Sequence, residues 1–431
     1  MNNWKLSKNY TQTIFNAKHN YHEYPANIDI QSFLLNKQGV KFANRRNKYF
    51  DNEQQMVEKY SELYDKTTGC FKVKYVLPDH RWGRVNPVGG LSLSLFHRPT
   101  RHAVCENEYI DSDFVNAQPV ASRNICKQNN FPTPHLDDYC DNREDKISEI
   151  KNTHNVDRGE AKNLFISIMF GGSYNKWVDD ASKRKDIVNA ALLKKNPKTL
   201  VTKVVNNKRL EWVKLFEDEQ VNIRDIVYAN NNHIIDDVEK AKPDKFTLKN
   251  YKTEEGILAK KKRTCMALWL QTIERHLQES CIKHLTTNHK FELKNIVPCQ
   301  DGFMILKSVW YDGILEDCNR VIENRMGFRV ELVKKDFDEA IEIPLHDDAG
   351  KVKDLEYTFD DVSKYMDASM FAICDERGNA GHTCLAKYVA KTYGSPFACS
   401  DIKTNMWYAF SNHRWLECDS GYKLRDVIHN E

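Results

Sequence analysis

The stretch DRGEAKNLFISIMFGGS, Asp157 to Ser173, has the periodicity of an amphipathic helix that ends at a pair of glycines. In such a helix Arg158, Lys162, Ile166 and Phe170 fall four residues apart and share one face. That face has two interpretations. It is either the solvated, cationic side of a packing helix, or a row in which a guanidinium and an ammonium bind phosphates and an aromatic ring lies against a base.

Aspartates occur on both sides of this helix, in segments that are predicted to be strands. EYIDSDF contains Asp111 and Asp113, and in VPCQDGFMIL Asp301 precedes Gly302 between two apolar runs, a pattern typical of a hairpin turn. Taken singly, such aspartates are common as caps and turn residues. Taken together, two carboxylates on neighbouring strands can hold a pair of divalent cations about 4 Å apart, and oxygen ligands suit Mg²⁺.

These three segments resemble motifs of the family A DNA polymerases. Arg158, Lys162, Phe170 and Gly171 match the spacing of the fingers-helix motif, Arg-x3-Lys-x7-(Tyr or Phe)-Gly. DFVNAQ is similar to the first palm motif and QDG to the last. The resemblance implies two catalytic metal ligands, Asp113 and Asp301, and a nucleotide-binding set made of Arg158, Lys162, Ile166, Phe170, Gly171 and Gln118. It also implies two Mg²⁺ ions as cofactor, with Mn²⁺ as the alternative.

Asp111 remains the alternative to Asp113 as a metal ligand, because residues two apart on a strand point to the same face. Asp113 is preferred since it alone has the five-residue spacing to Gln118. Four positions depart from the family pattern. Gln118 and Gly302 stand where carboxylates are usual, Ile166 where an aromatic ring is common, and Ala267 where the family has Asn. Both metal-binding aspartates are retained, whereas sugar discrimination does not follow from the resemblance.

Two shorter segments resemble the parts of the same family that contact nucleic acid. GRV contains Arg84, and RTCMALWLQ keeps Arg263 and Gln271 eight residues apart. The resemblance implies that these side chains contact primer and template. The adjacent Lys261 and Lys262 are predicted to contact the phosphate backbone of the nucleic acid. Such contacts fix the position of the protein on DNA without reading the base sequence.

The wider pattern resembles the polymerases of transposon-like elements, virophages and giant viruses. The tail FACSDIKTNMWYAFSNHRWLECDSGYKLRDVI is similar to the segment that precedes the ATPase in poxvirus-type primase-helicases. No Gly-x4-Gly-Lys-(Ser/Thr) occurs in the 431 residues, so a phosphate-binding loop of an ATPase is absent from this sequence. We therefore expect a superfamily 3 helicase to be a separately encoded partner.

The predicted fold is α+β, a polymerase right hand with a small antiparallel palm sheet and a helical fingers insertion, followed by a small α/β domain. Residues 1–80 form an N-terminal, thumb-like region and residues 81–343 the palm and fingers, with the fingers at about 118–240. Residues 344–361 are a linker, and 362–431 the primase-helicase-associated domain. LSLSLF, from Leu91 to Phe96, is predicted to be a strand because it alternates, and Lys261 to Leu285 to be a helix.

Composition excludes several classes of protein. No apolar run is long enough to span a membrane and the N-terminus lacks the apolar core of a secretory signal, so we expect an intracellular protein in host cytoplasm, viral factory or nucleus. The 12 cysteines include no Cys-x-x-Cys, which argues against a zinc ribbon. The 64 basic and 61 acidic residues nearly balance, so net charge does not identify a partner.

The function that follows is template-directed DNA synthesis from primed DNA and dNTPs during replication of a viral or mobile-element genome. A different class of function is a catalytically inactive adaptor that binds DNA or docks a helicase through aromatic residues of the tail, Trp407, Tyr408, Phe410 and Trp415. A third is a primase, which starts synthesis without a 3′ end.

Overall fold

The structure is a computed structural model that describes residues 4–15, 18, 20–25, 30, 49–195, 201–288, 291–337, 397–401, 406–411 and 414–418. For 191–195 and for the strands after residue 396 it describes the backbone only. The chain divides into two compact units, Met1–Ile343 and Pro344–Glu431. The predicted linker, 344–361, lies outside the described residues.

The larger unit is mainly helical. Its helices are α1 (Glu53–Ser61), α2 (Arg98–Cys105), α3 (Ala117–Gln128), α4 (Pro134–Asp141), α5 (Arg143–His154), α6 (Arg158–Met169), α7 (Tyr174–Lys195), α8 (Glu211–Ala241), α9 (Glu254–Asn288) and α10 (Ile314–Met326). Its strands are β1 (Tyr21–Glu23), β2 (Tyr64–Asp65), β3 (Cys70–Val73), β4 (Tyr75–Val76), β5 (Asn86–Pro87), β6 (Tyr109–Phe114), β7 (Ile296–Pro298), β8 (Gly302–Leu306) and β9 (Leu332–Lys335). Helices with small antiparallel sheets confirm the predicted α+β class. Among the described helices, none combines the length and the apolar character that crossing a bilayer requires.

One antiparallel sheet brings distant parts of the chain together. Its strand order is β7-β8-β6-β9, and helices α3 to α9 lie in the sequence between β6 and β7. In the register of β6 and β8, Asp113 is opposite Gly302. Phe114 N then donates to Asp301 O over 2.9 Å. The predicted order of a strand, a helical insertion and a strand pair is therefore the observed one.

Helix α9 runs through the core of this unit. Its 35 residues include a mostly buried stretch from Thr264 to Leu285, and α8 packs along it. The N-terminal segment packs on both helices. Trp4 stacks on Trp269 with ring centroids 6.3 Å apart. At a local break in α8, Asn231 accepts from Leu6 N over 2.8 Å and donates to Trp4 O over 2.8 Å.

The prediction of a strand at LSLSLF is wrong, because the segment contains a 3-10 turn at Leu93–Leu95. Two backbone donors of the segment are already used by side chains. Ser92 Oγ accepts from Ser94 N over 3.1 Å, and the buried carboxylate of Glu23 accepts from Leu93 N over 3.0 Å. Amides that are bonded to side chains cannot join a strand ladder.

The smaller unit contains an antiparallel sheet of β10 (Phe397–Asp401), β11 (Met406–Ser411) and β12 (Arg414–Cys418), in that order. Phe410 pairs with Trp415 in the backbone register of β11 and β12. The aromatic residues named for the adaptor function fall on these two strands, and their side chains are outside the described set. The rest of the predicted 362–431 domain also lies outside it.

Candidate functional site

Asp113 and Asp301 meet at one end of the β6–β8 ladder. Asp113 is the next-to-last residue of β6, and Asp301 directly precedes β8, where its carbonyl accepts from Phe114 N. Burial raises the pKa of Asp113, and the negative charge of Asp301 acts in the same direction. Two carboxylates from distant parts of the sequence therefore share one electrostatic environment, as the motif spacing predicts.

The charges of Asp113, Asp301 and Asp111, here called the acidic cluster, all act on Lys335 of β9. It pairs with Asp111 in the β6–β9 register, and its long side chain reaches diagonally to Asp113, with Nζ 2.5 Å from Oδ2. Burial lowers the pKa of Lys335, but the bond to Asp113 and the charges of Asp301 and Asp111 outweigh this effect, so the net direction is upward. The ammonium is therefore held in its charged form by the aspartates.

Asp111 lies on the same face as Asp113 but deeper, and only 3% of it is exposed. Its Oδ2 is 3.9 Å from Nη2 of Arg101, a residue of α2. Burial raises the pKa of Asp111 to about 6, although Arg101 opposes the rise. Asp111 therefore has a cationic neighbour of its own, and Asp113 is the more accessible of the two carboxylates.

The glycine after Asp301 has a steric explanation. An added Cβ at Gly302 would overlap the backbone oxygen of Ser112 and lie 2.8 Å from Cα of Asp113. The two strands approach too closely at this point for any side chain. A carboxylate at position 302 is thus incompatible with this sheet, which accounts for one of the four departures from the family pattern.

The predicted helix at the opening motif is present as α6, and Asp157 caps it by accepting from Glu160 N over 2.7 Å. Lys162, Ile166 and Phe170 are all half-buried along one face. Burial lowers the pKa of Lys162, whereas the charges of Asp301 and Asp113 raise it. The net direction for the pKa of Lys162 is downward, because Arg143 acts together with burial, but Lys162 lies close enough to Asp301 and Asp113 for their charges to act on it.

Arg158 begins the same row but is already paired. Its guanidinium forms a bidentate ion pair with Glu144 of α5, with Nε to Oε2 at 3.0 Å and Nη2 to Oε1 at 2.7 Å. The Arg158 side chain is 56% exposed. An exposed ion pair contributes little stability and opens readily, so Arg158 can exchange this carboxylate for a phosphate.

Gly171 ends α6 with φ at +85°, a conformation that favours glycine. The absence of a side chain also makes room for two arginines. A Cβ there would overlap Cγ of Arg263 and lie 2.8 Å from Nη1 of Arg224. Arg263, from α9, and Arg224, from α8, thus converge on the end of the α6 row.

A buried carboxylate that the sequence analysis missed connects four segments of the site. Glu274 Oε2 accepts from Arg84 Nε over 2.7 Å and from Gln118 Nε2 over 3.2 Å. Arg84 Nη1 then reaches Gln300 Oε1 at 3.3 Å, next to Asp301. Burial raises the pKa of Glu274 to about 7, although Arg84 opposes the rise. Gln118, which stands where a carboxylate is usual, is therefore hydrogen-bonded to a carboxylate from another helix.

A cleft of about 280 Å³ opens beside this network and is lined by Arg84, Gln271 and Gln300. Gly83 fixes the approach of the GRV segment to α9, because its N–H donates to Thr272 Oγ1 over 2.8 Å. The predicted nucleic-acid contacts Arg84 and Gln271 therefore share one cleft.

The predicted contacts Lys261 and Lys262 have protein partners. Lys261 Nζ is 2.7 Å from Glu239 Oε1, and Lys262 Nζ is 2.9 Å from Asp225 Oδ1, both acids being on α8. Each lysine is thus neutralised within the α8–α9 pair. Arg263, in contrast, has no ion pair or hydrogen bond to any described residue.

The donor set around Asp113 suits a hard cation. Oδ1 of Asp113 is buried and has no hydrogen-bond partner among the described residues, and an orphaned carboxylate oxygen is a ready metal ligand. In the described ranges, no group of three or more His, Cys, Asp or Glu side chains is arranged so that it could hold a metal ion by itself. Asp113 and Asp301 therefore fit an open Mg²⁺ site, whose remaining ligands would be water, backbone and substrate oxygens.

Sequence reasoning did not find Lys335, Glu274 and Arg224. Lys335 is significant only because β9 pairs with β6, and a register is not visible in a single sequence. Glu274 has a weak signal, since it is a charged residue inside the apolar part of α9. A charge in such a position is rarely buried without a partner.

Comparisons with known proteins found relatives in two viruses, and no protein-family model matches the chain. The chain is 25% identical over 295 residues to protein V13 of Sputnik virophage, whose name describes it as a candidate helicase. That match covers 66% of this chain and 33% of the relative. Over 72 residues the chain is 39% identical to protein L207/L206 of Acanthamoeba polyphaga mimivirus, also named as a candidate helicase, covering 16% of this chain and 8% of that protein. The chain thus spans a third or less of the viral proteins it matches.

Among solved structures, the chain is similar to the POL domain of Pol1 from M. smegmatis in complex with DNA primer-template and dNTP. It is 10% identical with a TM-score of 0.36, and the match covers 67% of this chain and 51% of that chain. A TM-score this low does not establish a shared fold.

Proposed function

We propose that the chain is a template-directed DNA polymerase with a right-hand arrangement, in which the β7-β8-β6-β9 sheet is the palm and helices α3 to α8 belong to the fingers. The observation that carries the proposal is the convergence of Asp113, on β6, and Asp301, directly before β8, with Lys162 of α6 close enough for both charges to act on it. Asp113 and Asp301 are 188 positions apart in the sequence, and the fingers-helix motif lies between them in the chain.

In the proposed reaction, the 3′-oxygen of the primer forms a bond to the α-phosphorus of a dNTP while the bond to pyrophosphate breaks. Divalent cations bound by Asp113 and Asp301 would activate the 3′-hydroxyl and stabilise the leaving group. Lys162 and Arg158 bind the triphosphate, because an ammonium and a guanidinium offset its charge. Ile166 and Phe170 line the base side, and Gly171 ends the helix there.

The primer and template are proposed to lie along the cleft that contains Arg84 and Gln271. Arg84 is oriented by Glu274 and Gln300, so its guanidinium is held in one geometry before nucleic acid binds. Arg263 contacts the template side at the end of α6. Because the contacts are charged and polar groups without base specificity, binding is proposed to be independent of sequence.

Primer extension in Mg²⁺ tests the proposal directly. The full chain is incubated with a primed template or an unprimed one, with dNTPs or with ribonucleotides. Asp113→Asn and Asp301→Asn are compared with Asp312→Asn, which changes an exposed aspartate outside the sheet. We expect dNTP incorporation on the primed template, a loss of at least about 1,000-fold in both site variants, and wild-type activity in the control.

DNA binding, followed by fluorescence anisotropy, separates the alternatives in the same experiment. Binding without extension in the wild type favours the inactive adaptor, and synthesis on the unprimed template favours a primase. Full extension by Asp113→Asn would reject the assignment of the metal ligands.

The names of the viral relatives support a further part of the proposal, that the chain acts together with a helicase during replication.

A further inference from the structure

The charges of all three aspartates act on the Lys335 ammonium. It is bonded to Oδ2 of Asp113 at 2.5 Å, and Asp301 and Asp111 also act on it electrostatically. Arg101 remains 3.9 Å from Asp111 and is the only other cation that an ion pair brings to these three aspartates among the described residues. Lys335 is therefore the principal counter-charge of Asp113.

The two carboxylate oxygens of Asp113 have different environments. Oδ2 is bonded to Lys335, whereas Oδ1 is buried without a partner among the described residues. An ammonium has three donors and no acceptor, so it cannot share a metal ion with the carboxylate as a ligand. A cation that is bound by both oxygens of Asp113, or by Oδ2 and Asp301, therefore competes with Lys335 Nζ for Oδ2.

We propose that Lys335 is a built-in competitor of the metal, an ammonium that neutralises Asp113 and Asp301 in the metal-free protein and that is displaced when a divalent cation binds. The inference rests on the proposed function only for the identity of the metal ligands. Its consequence is a metal affinity lower than the carboxylates alone would give.

The position of Lys335 makes displacement feasible. A third of its side chain is exposed, and it is the last residue of β9, so the long side chain can swing away from the sheet without breaking the ladder. A released ammonium would still lie beside the site. There it could contact the phosphates of a nucleotide.

Mn²⁺ binding tests the inference without any measurement of catalysis. Free Mn²⁺ is titrated by electron paramagnetic resonance with wild type, Lys335→Met, Lys335→Gln and the matched control Lys334→Met. Lys334 is the exposed neighbour on the same strand and points to the opposite face. We expect the Lys335 variants to bind Mn²⁺ about tenfold more tightly than wild type, and Lys334→Met to bind as wild type does.

Thermal unfolding with and without Mn²⁺ gives the second readout. Without metal, the Lys335 variants should unfold at a lower temperature than wild type, because Asp113 and Asp301 then repel each other without a counter-charge. Saturating Mn²⁺ should remove this difference. A lysine that only supports the fold would lower the unfolding temperature equally in both conditions.

Unchanged or weaker Mn²⁺ affinity in Lys335→Met and Lys335→Gln would overturn the inference, as would the absence of Mn²⁺ binding in every variant. Lys335→Gln can still donate a hydrogen bond to Asp113, so it keeps the test informative if the methionine variant does not fold. If the Lys335 variants bind Mn²⁺ more tightly but the wild type does not extend a primer, the inference is supported and the polymerase function is rejected. The two proposals thus fail separately.

Discussion

Gln118, at the start of α3, donates a hydrogen bond from Nε2 to Oε2 of Glu274 on α9 over 3.2 Å. The same oxygen accepts from Arg84, so a single buried atom joins the segment that follows β6, the central helix and the GRV segment. Burial holds the pKa of Glu274 at about 7, above its ordinary value of 4.5. This carboxylate is therefore a source of pH-dependent stability.

The pH dependence of unfolding should report Glu274. Its folded pKa lies above the unfolded value, so the folded state binds this proton more tightly, and the contribution is full below about pH 4.5 and lost as pH rises through about 7. Between these pH values the unfolding free energy of the wild type should therefore decrease. We expect the decrease to be smaller in Glu274→Gln, by up to about 3 kcal/mol. Urea unfolding at several pH values measures it. Glu255→Gln, an exposed change on the same helix, should keep the wild-type slope.

Gly302→Ala should destabilise the protein. The new methyl group would overlap the backbone oxygen of Ser112, so β6 and β8 must separate or shift, at a cost of about 3 kcal/mol or more. Urea unfolding at neutral pH measures the change. Gly256→Ala, in the first turn of α9, meets only Thr253 and Tyr251 at 3.3 Å or more, and a change within about 1 kcal/mol of wild type is expected there. Equal stability of the two variants would contradict the close approach at Gly302.

Glu144→Gln should strengthen nucleotide binding if Arg158 binds the triphosphate. In the free protein Glu144 holds the Arg158 guanidinium, and removing the carboxylate charge removes a competitor of the phosphates. We expect KM for dNTP to fall about two- to fivefold, since an exposed pair is worth at most about 1 kcal/mol. Arg158→Gln should raise KM, and the double variant should match Arg158→Gln. A KM that Glu144→Gln leaves unchanged would separate Arg158 from the nucleotide.

Removal of Arg263 should weaken DNA binding more than removal of Lys262. Lys262 is paired with Asp225 at 2.9 Å, so contact with DNA requires it to leave an existing partner, whereas Arg263 has none among the described residues. We expect Arg263→Gln to lower the affinity for primed template about tenfold and to reduce the salt dependence of binding by about one phosphate contact. Lys262→Gln should change affinity less than threefold. Anisotropy titrations at several salt concentrations measure both.

The positions that follow from local spacing were predictable from the sequence. Arg158, Lys162, Ile166 and Phe170 lie on one face of α6 because helical geometry requires it, and the Asp-Gly pair at Asp301 marks a real hairpin. The sheet register was not predictable, because strands β6 and β9 are over 200 residues apart and pairing depends on the whole fold. Lys335 therefore could not be connected with Asp113 from the sequence.

The strand prediction for LSLSLF failed for a related reason. Alternation describes which side chains are apolar, but the backbone donors of Leu93 and Ser94 bond to Glu23 and Ser92. Glu23 is 70 residues away from Leu93. A local pattern cannot show that a distant buried carboxylate competes for the backbone.

The contacts of Trp4 and Leu6 also determine when this segment can fold during synthesis. Leu6 bonds to Asn231, which is 225 residues later, and Trp4 to Trp269, which is 265 residues later. At ribosomal speeds of about 5–20 residues per second, these partners emerge roughly 10 to 50 seconds after the segment itself. During that interval Leu6 lacks its Asn231 partner and Trp4 lacks Trp269. The segment that contains Trp4 and Leu6 therefore cannot complete its native contacts until α8 and the first half of α9 have been synthesised.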